Sequence, residues 1–296
     1  MTGIILLDKQ KDITSFSACN RVKHTLGVKK AGHTGTLDPM ATGVLTVALG
    51  GATRFIELLP VHDKAYTARV QLGITTDTLD ITGNVLSEND VSVTNEALLS
   101  AASQFRGEIM QKPPMYSAVF KDGKRLYELA RQGIEVERDA RPVTIHRLEV
   151  SDFDGKLFTM KVACSSGTYI RTLCDDIGKA LGCGAVLTEL RRTSANGFSI
   201  EDCHTINEIK EACENGSINN YIIPVEKCFE AYGQITVSPA QAKRFSNGGE
   251  LSLDRLKGEF ESTLYRVYSP ENKFLGLGQA EKEKGILSVR RLLVDV

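Results

Sequence analysis

Gly32-His33-Thr34-Gly35-Thr36-Leu37-Asp38-Pro39-Met40-Ala41-Thr42-Gly43-Val44-Leu45 is the stretch on which the reading of this chain turns. It sets one acidic side chain, Asp38, in a loop of small, turn-forming residues. Pro39 biases Asp38 away from helical backbone toward an extended one. Gly32, Gly35 and Gly43 permit left-handed turns and close approach of a ligand to the main chain. Such a loop can hold a carboxylate rigidly at a site. Taken alone, an Asp-Pro pair is ordinarily a turn that caps the next element, so the assignment depends on what the rest of the chain carries.

At 296 residues the chain has room for one large domain, or a large one with a small companion. A 42% hydrophobic and 25% charged composition is that of a globular protein with a substantial core. The formal net charge of -1 argues against a non-specific nucleic-acid binder, which must neutralise many phosphates. A protein that reads the shape of a nucleic acid needs only local positive patches. Residues 1–60 offer one, with Lys9, Lys11, Arg21, Lys23, Lys29, Lys30 and Arg54 against Asp8, Asp12, Asp38 and Glu57; the same excess is also what a solvated face carries. The seven cysteines are scattered without a Cys-x-x-Cys pair, and the histidines lack metal-ligand spacing, so neither a disulfide framework nor a metal site is expected. The apolar run at residues 4–7 is too short for a signal-peptide core, and no run approaches a membrane span. A cytoplasmic protein fits these features.

Strand and helix patterns alternate irregularly, which predicts an α+β fold. Thr14 or Ser15 can cap a helix with Phe16, Cys19, Val22 and Leu26 inward and Gly27 as its stop. Residues 66–72 read as a strand. A helix after Thr94 would bury Leu98, Leu99, Ala102 and Phe105. Residues 144–153 and 156–164 form a hairpin through Asp154-Gly155. Thr168 would cap a helix with Ile170, Leu173, Ile177 and Leu181 inward, followed by a second helix bearing Leu187, Leu190, Arg191 and Arg192. A boundary is expected near residue 230, giving units 1–230 and 231–296. In the second, Ser238 and Pro239 open a short helix, after which strand-like runs at 263–269, 273–279 and 286–293 make a small β-rich module.

Further blocks follow the Asp38 loop in order: Asp63-Lys64-Ala65-Tyr66, Lys112-Pro113-Pro114-Met115-Tyr116-Ser117-Ala118, Cys164-Ser165-Ser166-Gly167-Thr168-Tyr169-Ile170-Arg171-Thr172 and Leu190-Arg191-Arg192. Read bare, Tyr66 is half-buried strand packing, Tyr169 and Arg171 are packing and surface charge at a helix start, and Leu190 is core. Together with the Asp38 loop, these blocks closely resemble the signatures of the bacterial TruB family, tRNA pseudouridine synthases that act on uridine 55 of the T-loop. The resemblance runs from Leu7-Asp8-Lys9 to Arg290-Arg291-Leu292.

The resemblance implies a pseudouridine synthase fold, a mixed and largely antiparallel sheet with flanking helices, plus a C-terminal PUA-like domain that helps to grip RNA. It implies Asp38 as catalytic nucleophile, with Tyr66, Tyr169, Arg171 and Leu190 lining the substrate site. Tyr66 would stack on the base and Arg171 would pair with Asp38. His33 resembles the residue that fills the space left by a flipped base; without the motif it is a loop histidine bonded to its own backbone.

Pseudouridine formation breaks the bond from uracil N1 to ribose C1′, turns the base, and joins C5 to that carbon. No redox cofactor, metal or energy source is required, and an ionised carboxylate can serve as nucleophile or base. A uridine inside a folded loop must first be extruded, at an unstacking cost of about a few kcal/mol. The expected partner is the tRNA T stem-loop, with no membrane, and the protein is expected to be a monomer. Two other readings stand beside this one: a tRNA-folding chaperone acting independently of catalysis, and a guide-RNA-dependent synthase of the dyskerin branch.

Overall fold

The computed structural model describes residues 1–294, so the last two residues of the expected C-terminal unit lie outside it. Its backbone is a nine-stranded mixed sheet carrying helices, followed by a separate five-stranded sheet. Seven strands of the large sheet run in the order Gly3–Lys9, Thr42–Leu49, Ala185–Ala195, Lys64–Leu72, Leu157–Cys164, Arg141–Ser151, Gly107–Gln111. Neighbours are antiparallel except Ala185–Ala195 against Thr42–Leu49, which run parallel. The short strands Ala31–His33 and Phe198–Ser199 pair onto Thr42–Leu49 and Ala185–Ala195.

The strands form where side chains can cover a sheet. In Lys64–Leu72, Tyr66, Ala68, Val70 and Leu72 are buried and alternate with partly exposed residues, the period of two expected of a pleated strand. One core joins that face to the helices Ile170–Ala180 and Asn95–Ser103 through residues such as Phe158, Met160, Leu173, Ile177 and Leu187. A second core lies around the helix Ser15–Thr25, where Ala18, Cys19 and Val22 pack with Ile5, Leu7, Leu45 and Val47. Thr14 caps that helix, its hydroxyl accepting from the Ser17 amide.

Four local expectations need correction. Phe16 is 70% exposed and Leu99 is 43% exposed, because Ala18 and Ala101 take the inward positions of their helices. Tyr169, not Thr168, is the N-cap of Ile170–Ala180, and the Thr168 hydroxyl instead donates to the Ser165 carbonyl. Residues 187–192 are not a helix. They lie in the strand Ala185–Ala195, in the middle of the sheet, where both edges are hydrogen-bonded.

The second sheet runs Gly233–Thr236, Leu264–Tyr268, Phe274–Glu281, Ile286–Leu292, Leu251–Ser252, with the helix Pro239–Ser246 against it. It is tied to the larger body by an aromatic group in which the Phe55 ring lies 5.9 Å from both Phe229 and Phe274.

Candidate active site

Asp38 lies in the loop between Ala31–His33 and Thr42–Leu49, and that loop is clamped from beneath. The fully buried ammonium of Lys9 donates to the carbonyls of Gln10, Ile13 and Pro39. The Ser15 hydroxyl accepts from the Leu37 amide at 2.7 Å and donates to the Leu37 carbonyl at 3.0 Å. The backbone on both sides of Asp38 is therefore fixed, while its side chain remains 34% exposed and reachable from solvent.

Arg171 meets that carboxylate with two nitrogens. Nε lies 2.9 Å from Oδ2, and Nη2 donates to Oδ1 at 3.2 Å, the fork that a planar guanidinium makes with a carboxylate. Two further donors are occupied, Nη1 by the Thr78 carbonyl at 2.9 Å and Nη2 by the Tyr116 carbonyl at 2.7 Å. Asp80 stands behind, with Oδ2 3.9 Å from Nη1. It is held by donation from the Thr78 hydroxyl at 2.9 Å and the Thr82 amide at 3.0 Å. Loss of water around Asp38 raises its pKa above the ordinary carboxylate value, the Arg171 charge pulls it back down, and the Asp80 charge adds to the rise.

Asp38, Tyr66, Tyr169, Arg171 and Leu190 line one pit, with Leu37, Thr168 and Ile170. Five of the six residues singled out in the sequence thus converge from four separate segments. The pit is small, about 50 Å³, and shares Leu190 with a groove of about 500 Å³ that includes Lys11, Met40, Arg69 and Arg191. Tyr169 is fixed through its backbone: its amide donates to Gln111 Oε1 at 2.8 Å, and Gln111 Nε2 donates to its carbonyl at 3.1 Å. Burial pushes the Tyr66 phenol up to about 12, so it is a neutral hydroxyl at physiological pH. A larger cleft of about 460 Å³, between Met115 and Asp175, contains none of the predicted site residues.

The comparisons with known proteins bear on this geometry. Residues 23–170 match the model of the TruB family pseudouridylate synthase N-terminal domain. Residues 171–230 match the tRNA pseudouridylate synthase B C-terminal domain, and 233–293 the pseudouridine synthase II TruB C-terminal region. The chain belongs to the TruB family. A tRNA pseudouridine synthase B of Azoarcus sp. (strain BH72) is 47% identical over 98% of this chain and 94% of that protein. One from Clostridium tetani is 45% identical over 96% and 97%. Among solved structures, a chain of a Cbf5-Nop10-Gar1 complex superposes with a TM-score of 0.74 at 27% identity, covering 99% of this chain and 85% of that one.

This TruB-family chain keeps His33 outside the pit lining, on the short strand Ala31–His33. Its Nδ1 is buried without a hydrogen-bond partner, and burial together with the Arg192 charge lowers the imidazole pKa, which leaves a neutral ring. Sequence reasoning missed Asp80, Gln111 and Arg192. Asp80 sits in Thr78-Leu79-Asp80-Ile81-Thr82, whose hydroxyls mark a self-bonded turn, but nothing in that turn points to Arg171.

Proposed function

We propose that this chain isomerises uridine 55 in the T-loop of tRNA to pseudouridine, with Asp38 as the nucleophile. The observation that carries the reading is the two-pronged Arg171 grip on Asp38 at the floor of a pit lined by Tyr66, Tyr169 and Leu190. The guanidinium keeps the carboxylate ionised against desolvation and aims it, so that it can react with a ribose or base presented from outside. Tyr66, Tyr169 and Leu190 supply the faces between which a uracil is held, and the neutral His33 ring is available to stack where the flipped base has left. The groove beyond Leu190, with Lys11, Arg69 and Arg191, gives the phosphates of the strand a cationic border. The sheet beyond residue 230 is assigned to gripping the tRNA outside the pit. We assign the activity to a cytoplasmic monomer acting without cofactor or metal.

The solved relatives include an H/ACA RNP bound to a substrate RNA, 26% identical to this chain with a TM-score of 0.72. That likeness keeps a guide-dependent reading in view, whereas the bacterial relatives named tRNA pseudouridine synthase B favour direct recognition of tRNA. Incubating the purified protein with unmodified tRNA transcript, with no other RNA present, and mapping pseudouridine tests both. Product at position 55 is expected. No product there overturns the proposal, and product only after a guide RNA is added assigns the chain to the other branch. A chaperone role is read separately, from the tRNA folding yield with Asp38→Asn.

A further inference from the structure

Arg192 is the largest fully buried side chain in the protein, at 0% exposure, and no salt bridge to it exists among the described residues. Its Nε donates to the Val44 carbonyl at 2.7 Å, which fixes the side chain, and apart from the Tyr66 hydroxyl beside them Nη1 and Nη2 have no hydrogen-bond partner. An uncompensated buried guanidinium is costly to keep, and exchange for an apolar residue of similar size is often neutral or stabilising. Its retention here calls for a use. The strand register supplies one. Arg192 stands directly opposite Tyr66, just as Leu190 stands opposite Ala68, and directly opposed residues of an antiparallel pair project from the same face. The guanidinium therefore lies beside the phenol of the tyrosine that lines the pit, close enough for its charge to favour the phenolate, although burial dominates.

Building on the pseudouridine synthase reading, we infer that Arg192 is a positioning residue that turns the Tyr66 hydroxyl outward as a hydrogen-bond donor to the detached uracil. A guanidinium can only donate, so a phenol oxygen facing it acts as the acceptor there and its own O–H points away, into the pit. When the N1–C1′ bond breaks with Asp38 taking the ribose carbon, the bonding electron pair stays with the base. The resulting uracil anion spreads its charge over N1 and the two carbonyl oxygens. No proton moves at this step. A fixed O–H backed by a buried positive charge stabilises that anion in a water-poor site, and does so more than it stabilises neutral uridine. Burial lowers the basicity of His33, Lys64 and Lys9, and the Arg192 charge adds to that lowering in each.

The test is single-turnover pseudouridine formation on unmodified tRNA transcript, with tRNA affinity and thermal midpoint measured alongside. Arg192→Met is expected to slow the chemical step about 100-fold, the loss typical of removing one such stabilising group, with tRNA affinity within about 2-fold and a thermal midpoint lowered no further than loss of the Val44 hydrogen bond requires. Arg192→Lys, which keeps a charge, is expected to retain most of the rate. Tyr66→Phe is expected to show a comparable loss, and adding Arg192→Met to it should cost less than about 3-fold further, because the two act as one unit. A wild-type rate in Arg192→Met or in Tyr66→Phe overturns the inference. So does a full additional loss in the double variant, which marks Arg192 as merely structural. If Arg192→Met does not fold, Tyr66→Phe and Arg192→Lys still decide the matter. A wild-type protein that makes no pseudouridine removes the underlying reading instead.

Discussion

Arg171 and Asp38 lie 133 residues apart in sequence and meet through two contacts, at 2.9 and 3.2 Å, with the guanidinium buried and the carboxylate open to the pit. The asymmetry agrees with the roles proposed for them. Asp38 is presented and Arg171 lies behind it, with further donors on the carbonyls of Thr78 and Tyr116. Asp38→Asn keeps the shape of the group and removes its nucleophilicity, so turnover should fall by at least about 10³-fold, while a filter-binding assay finds tRNA affinity within about 2-fold.

Arg171→Lys replaces a fork by a point charge that cannot reach both carboxylate oxygens and both carbonyls. The carboxylate is then less well aimed and the carbonyls lose donors. A fall of about 10²- to 10³-fold in the single-turnover rate is expected, larger than any change in tRNA binding.

The pH dependence follows from the groups that face Asp38. Desolvation and the Asp80 charge raise its pKa, and Arg171 and Lys9 oppose them. With Asp38 as the proposed nucleophile the reactive form is the carboxylate, so activity should be lost as the pH falls through a value above that of an ordinary aspartate. Arg171→Gln removes the larger opposing charge and should move that acid limb to higher pH. A rate profile with its limb at or below the ordinary aspartate range would contradict the assignment.

Asp80 does not itself line the pit, yet it stands 3.9 Å from Nη1 of Arg171, which does, with its own carboxylate held by Thr78 and Thr82. It bears on the reaction by holding Arg171 and by the effect of its charge on Asp38. Asp80→Asn should lower the rate about 10- to 10²-fold without altering tRNA affinity. Because it removes an influence that raises the Asp38 pKa, it should also shift the acid limb downward, opposite to Arg171→Gln. Opposite shifts in the two profiles are a signature that simple misfolding does not produce.

Much of this site is legible in the sequence because its chemistry is concentrated in short segments. The Asp38 loop announces itself through Pro39 and its glycines, and the Tyr66 strand through its alternation. The role of Arg171 comes from resemblance and not from spacing, since a charge at a helix start carries no record of a partner so far away in the chain. The strand Ala185–Ala195 reads as helix for a definite reason. Register shifts between Leu187 and Glu189 and between Arg192 and Ser194 insert extra residues, so Leu187 and Leu190 are both buried at a spacing of three, as on a helix. Arg192 and Asp80 are hidden for the complementary reason: their importance lies in what they face across the fold.

Gly43 gives the sharpest stability test. It pairs with Lys9 on one side and Arg192 on the other, at the point where the Asp38 loop enters its strand. Its φ of +104° is strained for any residue with a Cβ, and a Cβ placed there would lie 2.1 Å from the Arg192 carbonyl oxygen. Gly43→Ala must therefore absorb both backbone strain and separation of two paired strands, together about 2 to 6 kcal/mol. Gly27, with φ +60° and nothing within 4 Å of the position a methyl would take, is the control that carries strain alone; Gly27→Ala should cost about 1 to 2 kcal/mol. Denaturant unfolding of the two variants separates the terms. A Gly43→Ala midpoint no lower than that of Gly27→Ala would show that the strand pair beneath Asp38 yields easily, and with it the rigid support on which the placing of the carboxylate depends.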